Sequence, residues 1–272
     1  MYEAQEAFYS HLSIKRAFGD VTIEGYRRTL TKFLKESQPK CECVEKYILD
    51  MKERKYSYSH IRNTIVILEN YMAFIRRPIK LGRMRRPKPI VKDILTEGEV
   101  ARILAACKNS REKTMLALLT YSGMRNKELC SLKTGSISLD EGVIRIFDGK
   151  GSKDRLVYIT RECAKILMEY LQCFPRSKEG FLITTLVKGN HYKGQDLRKM
   201  VKVVSKRAKV NKRVYPHLFR HSLASHLVSR NCSLVTLQNL LGHSQLNTTA
   251  IYIRSFPQKI QAEYQYLVPN YI

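Results

Sequence analysis

The chain has 272 residues, enough for one large domain or two smaller ones that each bury a core. Its apolar fraction of 44% is ordinary, no run of about 18 uncharged apolar residues spans a bilayer, and Met1-Tyr2-Glu3-Ala4-Gln5-Glu6 lacks the basic start and apolar centre of a secretory signal, so a cytoplasmic protein without membrane segments is expected. Against 24 Asp and Glu stand 49 Lys and Arg, a net charge of +25, which points to nucleic acid; an anionic membrane surface competes, but no strongly amphipathic terminal helix supports it. Residues 197–262 sharpen this, since they hold twelve basic residues and no Asp or Glu. Seven scattered cysteines (41, 43, 107, 130, 163, 173 and 232) offer neither a paired disulfide framework nor a second metal-ligand pair, and are expected to be reduced, mostly buried thiols.

In chain order, Thr22 caps a helix predicted over 23–37, with Tyr26, Leu30, Phe33 and Leu34 on one face. A helix over 58–75 places Ile61, Ile65, Leu68, Tyr71, Met72 and Ile75 at three-to-four spacing, so the first 75 residues read as a bundle of about four helices. Residues 76–92 hold eight basic residues and three prolines, which deny them a helix and suit a linker or an extended strap along a phosphate backbone; Arg83, Arg85, Arg86 and Lys88 are its DNA-binding candidates. Thr96 and Glu99 have capping-box spacing for a helix through 106, and a helix over 111–121 is stopped by Gly123. Residues 142–147 and 156–159 alternate around 148–152 as a hairpin. Helices are predicted over 160–173, 195–210, 221–230 and 233–241, with 217–221 beginning a helix after Pro216. The fold class is therefore mainly α (α+β), with a small antiparallel sheet. Boundaries fall at 1–82 for the bundle, 83–94 for the linker and 95–272 for the second domain.

Five segments carry residues suited to chemistry: 123–129 with Arg125 and Glu128, 149–153 with Lys150 and Lys153, 217–221 with His217, Arg220 and His221, 240–243 with His243, and 248–252 with Tyr252. Their types suit cleavage of a phosphodiester by a side-chain nucleophile without metal, because Arg forks match the charged oxygens of a phosphoryl centre. Glu128, three residues from Arg125, is placed to pair with it and orient its guanidinium. Hairpin glycines permit a tight turn and a close approach to DNA, and spacing does not decide between Lys150 and Lys153. The spacing of His217 and His221 also fits a zinc helix, but Leu218-Phe219-Arg220 lacks the internal Glu, so no metal is expected and His221 packs or hydrogen-bonds within its helix. Residues 225–241 also read as a helix-turn-helix, which explains DNA binding but gives His243 and Tyr252 no work.

In this order the motifs resemble those of the tyrosine recombinases, or phage-type integrases, most closely the Xer-type members, over roughly 95–252. The resemblance implies a core-binding N-terminal domain, a catalytic second domain, a phosphate clamped by Arg125 and Arg220 with His217 and His243 assisting, attack by Tyr252 and protonation of the leaving 5′ oxygen by Lys150. It implies no cofactor, duplex DNA with a specific recombination site as partner, and a tetramer on two duplexes from a free monomer or dimer. In the family a tail such as 255–272 often docks on a neighbouring protomer. The chain departs from the family pattern in Ile253-Arg254, where Thr-His is common, and in Phe219, where Leu is commoner. A type IB topoisomerase-like enzyme and a non-catalytic DNA-binding regulator are the alternatives.

Overall fold

The computed structural model describes residues 2–82, 84, 85, 87, 93–147, 154–174, 180–185 and 191–242. The chain divides into two compact units, 1–90 and 91–272. Four helices make the first: α1 (Tyr2–Arg16), α2 (Asp20–Glu36), α3 (Cys41–Glu53) and α4 (Tyr58–Phe74). Tyr26, Leu30 and Phe33 recur on one face of α2 and are buried. Phe8 meets Tyr71 edge-on at 5.3 Å and Phe33 meets Tyr47 at 5.1 Å, so aromatic pairs from all four helices knit the core. The start of α2 differs from expectation: Gly19 is the N-cap and Thr22 lies inside the helix. At α4 the Ser57 side chain accepts the His60 N–H and starts the helix. Beyond α4 the proline-bearing stretch first returns to the bundle: Ile79, Leu81 and Met84 pack on its core and the Leu81 N–H donates to Glu69 at 2.8 Å. Arg85 is exposed.

The second unit opens with α5 (Glu97–Ala105), started by a complete Thr96–Glu99 capping box. Next comes α6 (Ser110–Ser122), whose Met115, Leu116, Ala117, Leu118 and Leu119 are all buried. Five consecutive apolar residues occupy every face of the helix, so this part of it must be enclosed. α8 (Arg161–Cys173), α10 (Pro216–Ser229) and α5 pack around it. α6 ends at Gly123, whose left-handed φ of +60° is accessible to glycine at little strain. Two short elements were not anticipated: α7 (Asn126–Cys130), five residues long, and strand β1 (Ile137–Ser138), two residues long. Neither has room to display a period.

The expected hairpin is present as β2 (Val143–Ile146) and β3 (Arg155–Tyr158), antiparallel with Ile146 opposite Arg155, and β1 adds a third strand. Ile144, Ile146 and Val157 face the core. The remaining helices are α9 (Gly194–Arg207) and α11 (Leu234–Leu241). α10 is one helix from Pro216, whose ring fits the first turn because no N–H is needed there, so the start near 221 is corrected. The thiols also depart from expectation: Cys130 and Cys163 are buried, Cys43, Cys107 and Cys232 half-buried, and Cys41 and Cys173 exposed. Among the described residues no helix is long and apolar enough to cross a membrane.

Because α6 is enclosed, truncation there leaves a void. Leu118→Ala should lower the stability of unit 91–272 by about 2–5 kcal/mol, read by amide hydrogen exchange of its helices. A loss below about 1 kcal/mol would contradict the enclosed position of α6.

Candidate active site

Where α6 stops, Gly123 turns the chain and Arg125 becomes the N-cap of α7. An arginine has no acceptor, so the orphan donors at this corner are served from the other direction. Glu128 folds back so that Oε2 accepts the Arg125 backbone N–H at 2.7 Å while Oε1 accepts Arg125 Nη1 at 2.7 Å. The anticipated pairing of these two is thus present, with a backbone bond added. Arg125 Nη2 donates to the Gly242 carbonyl at 2.9 Å, across 117 residues of sequence.

Glu128 is 9% exposed and shared. Arg155, the first residue of β3, donates both terminal nitrogens to it as a fork, Nη1 to Oε1 and Nη2 to Oε2, each at 2.7 Å. Burial would raise the carboxyl's pKa, but the Arg155 fork, the Arg125 N–H and the Arg125 side chain outweigh it and hold Glu128 down to about 2. The Arg125 side chain stays 35% exposed and, among the described residues, uses two of its five N–H donors.

Arg220, on α10, is 4% exposed. Its Nη1 donates to the Gly123 carbonyl at 2.8 Å and its Nη2 to the Leu241 carbonyl. Arg125 and Arg220 therefore grip consecutive carbonyls, 242 and 241, at the C-terminus of α11, where the last carbonyls of a helix lack intrahelical donors and carry its negative end. Gly242 caps α11 at φ +62° and lies so close to Arg155 that an added Cβ would come within 2.7 Å of Nε. His217 is exposed on the first turn of α10 and His221 is half-buried one turn on. Lys150, Lys153, His243, Tyr252, Arg83, Arg86 and Lys88 lie outside the described residues.

Charge is distributed less simply than the acid-free run suggests. Three of its basic residues close ion pairs with acids from α5 and α6: Arg207 with Glu112 at 2.8 Å, Lys212 with Glu99 at 2.8 Å and Arg230 with Glu97 at 2.6 Å. Lys199, Lys202 and Lys206 remain exposed along one side of α9, while Leu197, Val201 and Val204 turn inward. Sequence reading missed this exposed stripe and the Arg155 fork on Glu128. The stripe's three-to-four spacing was the available signal; Arg155 gave none, because its partner is 27 residues away.

Residues 93–259 match the family model described as the phage integrase family. The chain belongs to this family. It is 30% identical to a tyrosine recombinase of Thermosipho africanus, with 93% of this chain and 95% of that protein covered. A crystal structure of XerA recombinase aligns at 25% identity and a TM-score of 0.60, covering 99% of this chain and all of that one. A Tn1549 transposon integrase in complex with circular intermediate DNA, 18% identical, shares the fold at a TM-score of 0.76, with 97% of this chain and 99% of that one covered. As a phage integrase family member the chain is a tyrosine recombinase, a class of enzymes that cleave and rejoin DNA.

In this integrase-family domain Glu128 is held below its ordinary value of 4.5, so its stabilising contribution is present above about pH 4.5 and lost as pH falls through about 2. The wild type should exceed Glu128→Gln by on the order of 3 kcal/mol at pH 7. Urea unfolding between pH 2 and pH 7 should show that margin shrinking below pH 4.5. A margin independent of pH would contradict the shared carboxylate.

Proposed function

We propose that the chain is a site-specific recombinase that breaks one strand of a duplex through Tyr252 and rejoins it to another, without metal or ATP. The observation that carries this reading is the convergence of Arg125 and Arg220 on carbonyls 242 and 241. Two guanidinium groups fixed at one corner supply fork donors for the two non-bridging oxygens of a single phosphate. They stabilise the added charge as attack proceeds, in place of metal ions. His217, exposed on the same helix as Arg220, and His243, next in sequence to Gly242, assist.

The Tyr252 oxygen attacks phosphorus, its proton leaves, and a phosphorus–oxygen bond forms as the bond to the 5′ oxygen breaks. A 3′-phosphotyrosine and a free 5′ hydroxyl result, with Lys150 donating the proton to the departing oxygen; Lys153 is the alternative donor. A phenol with an ordinary pKa near 10 attacks poorly, and the cationic corner favours its phenolate. Rejoining is the reverse reaction with the 5′ hydroxyl of a second strand, so the ester conserves the bond energy and no nucleotide is consumed.

The N-terminal bundle acts as the core-binding domain. The strap residues Arg83, Arg85, Arg86 and Lys88, with the α9 stripe, follow the phosphate backbone of a duplex carrying a specific site. Four copies on two duplexes complete the exchange, in the cytoplasm at the nucleoid, in dimer resolution or in integration and excision. A type IB topoisomerase would share the chemistry but need no paired site. The non-catalytic regulator is favoured by one feature, the α10–α11 helix-turn-helix, with Val235, Thr236 and Asn239 exposed on α11.

Nicked duplex carrying the cognate site should give a covalent adduct in the presence of EDTA, mapped by peptide analysis to Tyr252. Tyr252→Phe should bind that duplex with the wild-type affinity and form no adduct. An adduct at another residue, or none at all, would sink the proposal, and a Tyr252→Phe protein with every measurable activity intact would favour the regulator.

A further inference from the structure

Arg155 stands outside the set of residues to which the reaction has been assigned, yet it touches both Glu128 and Gly242 at this corner. Its fork binds both oxygens of Glu128, and its side chain, 11% exposed, lies against Gly242. β3 follows directly on the segment 148–153 that carries both candidate lysines, and the chain bonds His243 to Gly242. β3 and α11 also pack together.

The electrostatics of the trio explain why a second arginine is present. Glu128 holds Arg125 in place through its side chain and its backbone N–H. A buried carboxylate with a single cationic partner would draw that guanidinium inward and neutralise it. With Arg155 also bound, the three groups carry a net single positive charge and the carboxylate is already satisfied by a fork. Arg125 is then aimed by Glu128 while its charge remains available to an anion.

We propose that Arg155 is a positioning residue for strand cleavage: by neutralising Glu128 and packing on Gly242, it lets Arg125 keep its charge and its aim toward the scissile phosphate. This rests on the recombinase reading above, and Arg155 itself contacts no substrate. An exposed ion pair would contribute little beyond solubility, but this one is enclosed and two-pronged. The Arg155 Nε is buried without a hydrogen-bond partner among the described residues, so the side chain's polar contacts here are those of its two-pronged end.

The test uses the full chain on nicked duplexes carrying its own recombination site. Single-turnover formation of the Tyr252 adduct and equilibrium DNA affinity are measured for wild type, Arg155→Gln, Arg155→Lys and Arg155→Gln combined with Glu128→Gln. Arg155→Gln should slow adduct formation by about tenfold or more while affinity stays within about threefold, because aim is lost but phosphate contacts elsewhere are kept. Arg155→Lys should recover part of the rate, and adding Glu128→Gln to Arg155→Gln should cause no further loss, since no bare carboxylate then competes for Arg125. If Arg155→Gln fails to fold, Arg155→Lys carries the test, with slower cleavage expected at retained affinity. Wild-type rates in both folded variants, or rate and affinity falling together with the folded fraction, would overturn the inference alone. No adduct with the unaltered chain would overturn the recombinase reading and this inference with it.

Discussion

A carboxylate withdrawn from water must be compensated where it sits, and Glu128 is compensated by two arginines from different elements. The geometry of the corner depends on this shared anion. α7 is only five residues long and would have little reason to form on its own; its first turn is tied down by Glu128 reaching back to the Arg125 N–H. β3 is brought to the same point by Arg155. Loss of one partner would leave buried charge uncompensated, so the corner is cooperative by construction.

The second constraint is the C-terminus of α11. Its closing carbonyls are groups a helix cannot satisfy internally, and here arginines from the α6–α7 corner and from α10 satisfy them. Left-handed glycines end both helices that meet there, Gly123 after α6 and Gly242 after α11. At Gly123 an added Cβ would meet Leu223 at 3.0 Å, and at Gly242 it would strike Arg155, so sterics reinforce the backbone requirement. The buried stretch 114–119 of α6 supplies a rigid base from which the corner projects.

Much of this was legible in the sequence because local physics writes local signals. The apolar spacing of α2 and α4, the Thr96–Glu99 box, the stop at Gly123 and the period-two strands about residues 148–152 each follow from a few adjacent residues. So did the Arg125–Glu128 pair, three residues apart. What escaped was either too short to show a period, as with β1 and α7, or held by partners distant in sequence, as with Arg155 and the carbonyls at 241 and 242. The acid-free run overstated its own exposure for the same reason: Arg207, Lys212 and Arg230 find their carboxylates about a hundred residues or more earlier, on α5 and α6. Lys199, Lys202 and Lys206 on α9 stay exposed.

In the proposed reaction the corner built on Glu128 and the end of α11 presents Arg125 and Arg220 to one phosphate. The most direct measurement is a structure of the Tyr252→Phe chain on an uncleaved duplex carrying its site. The expected result is one phosphate whose non-bridging oxygens lie within hydrogen-bond distance of both guanidinium groups, with Arg155 still forked on Glu128. A phosphate reached by neither arginine, or arginines that leave the corner to bind separate phosphates, would contradict it.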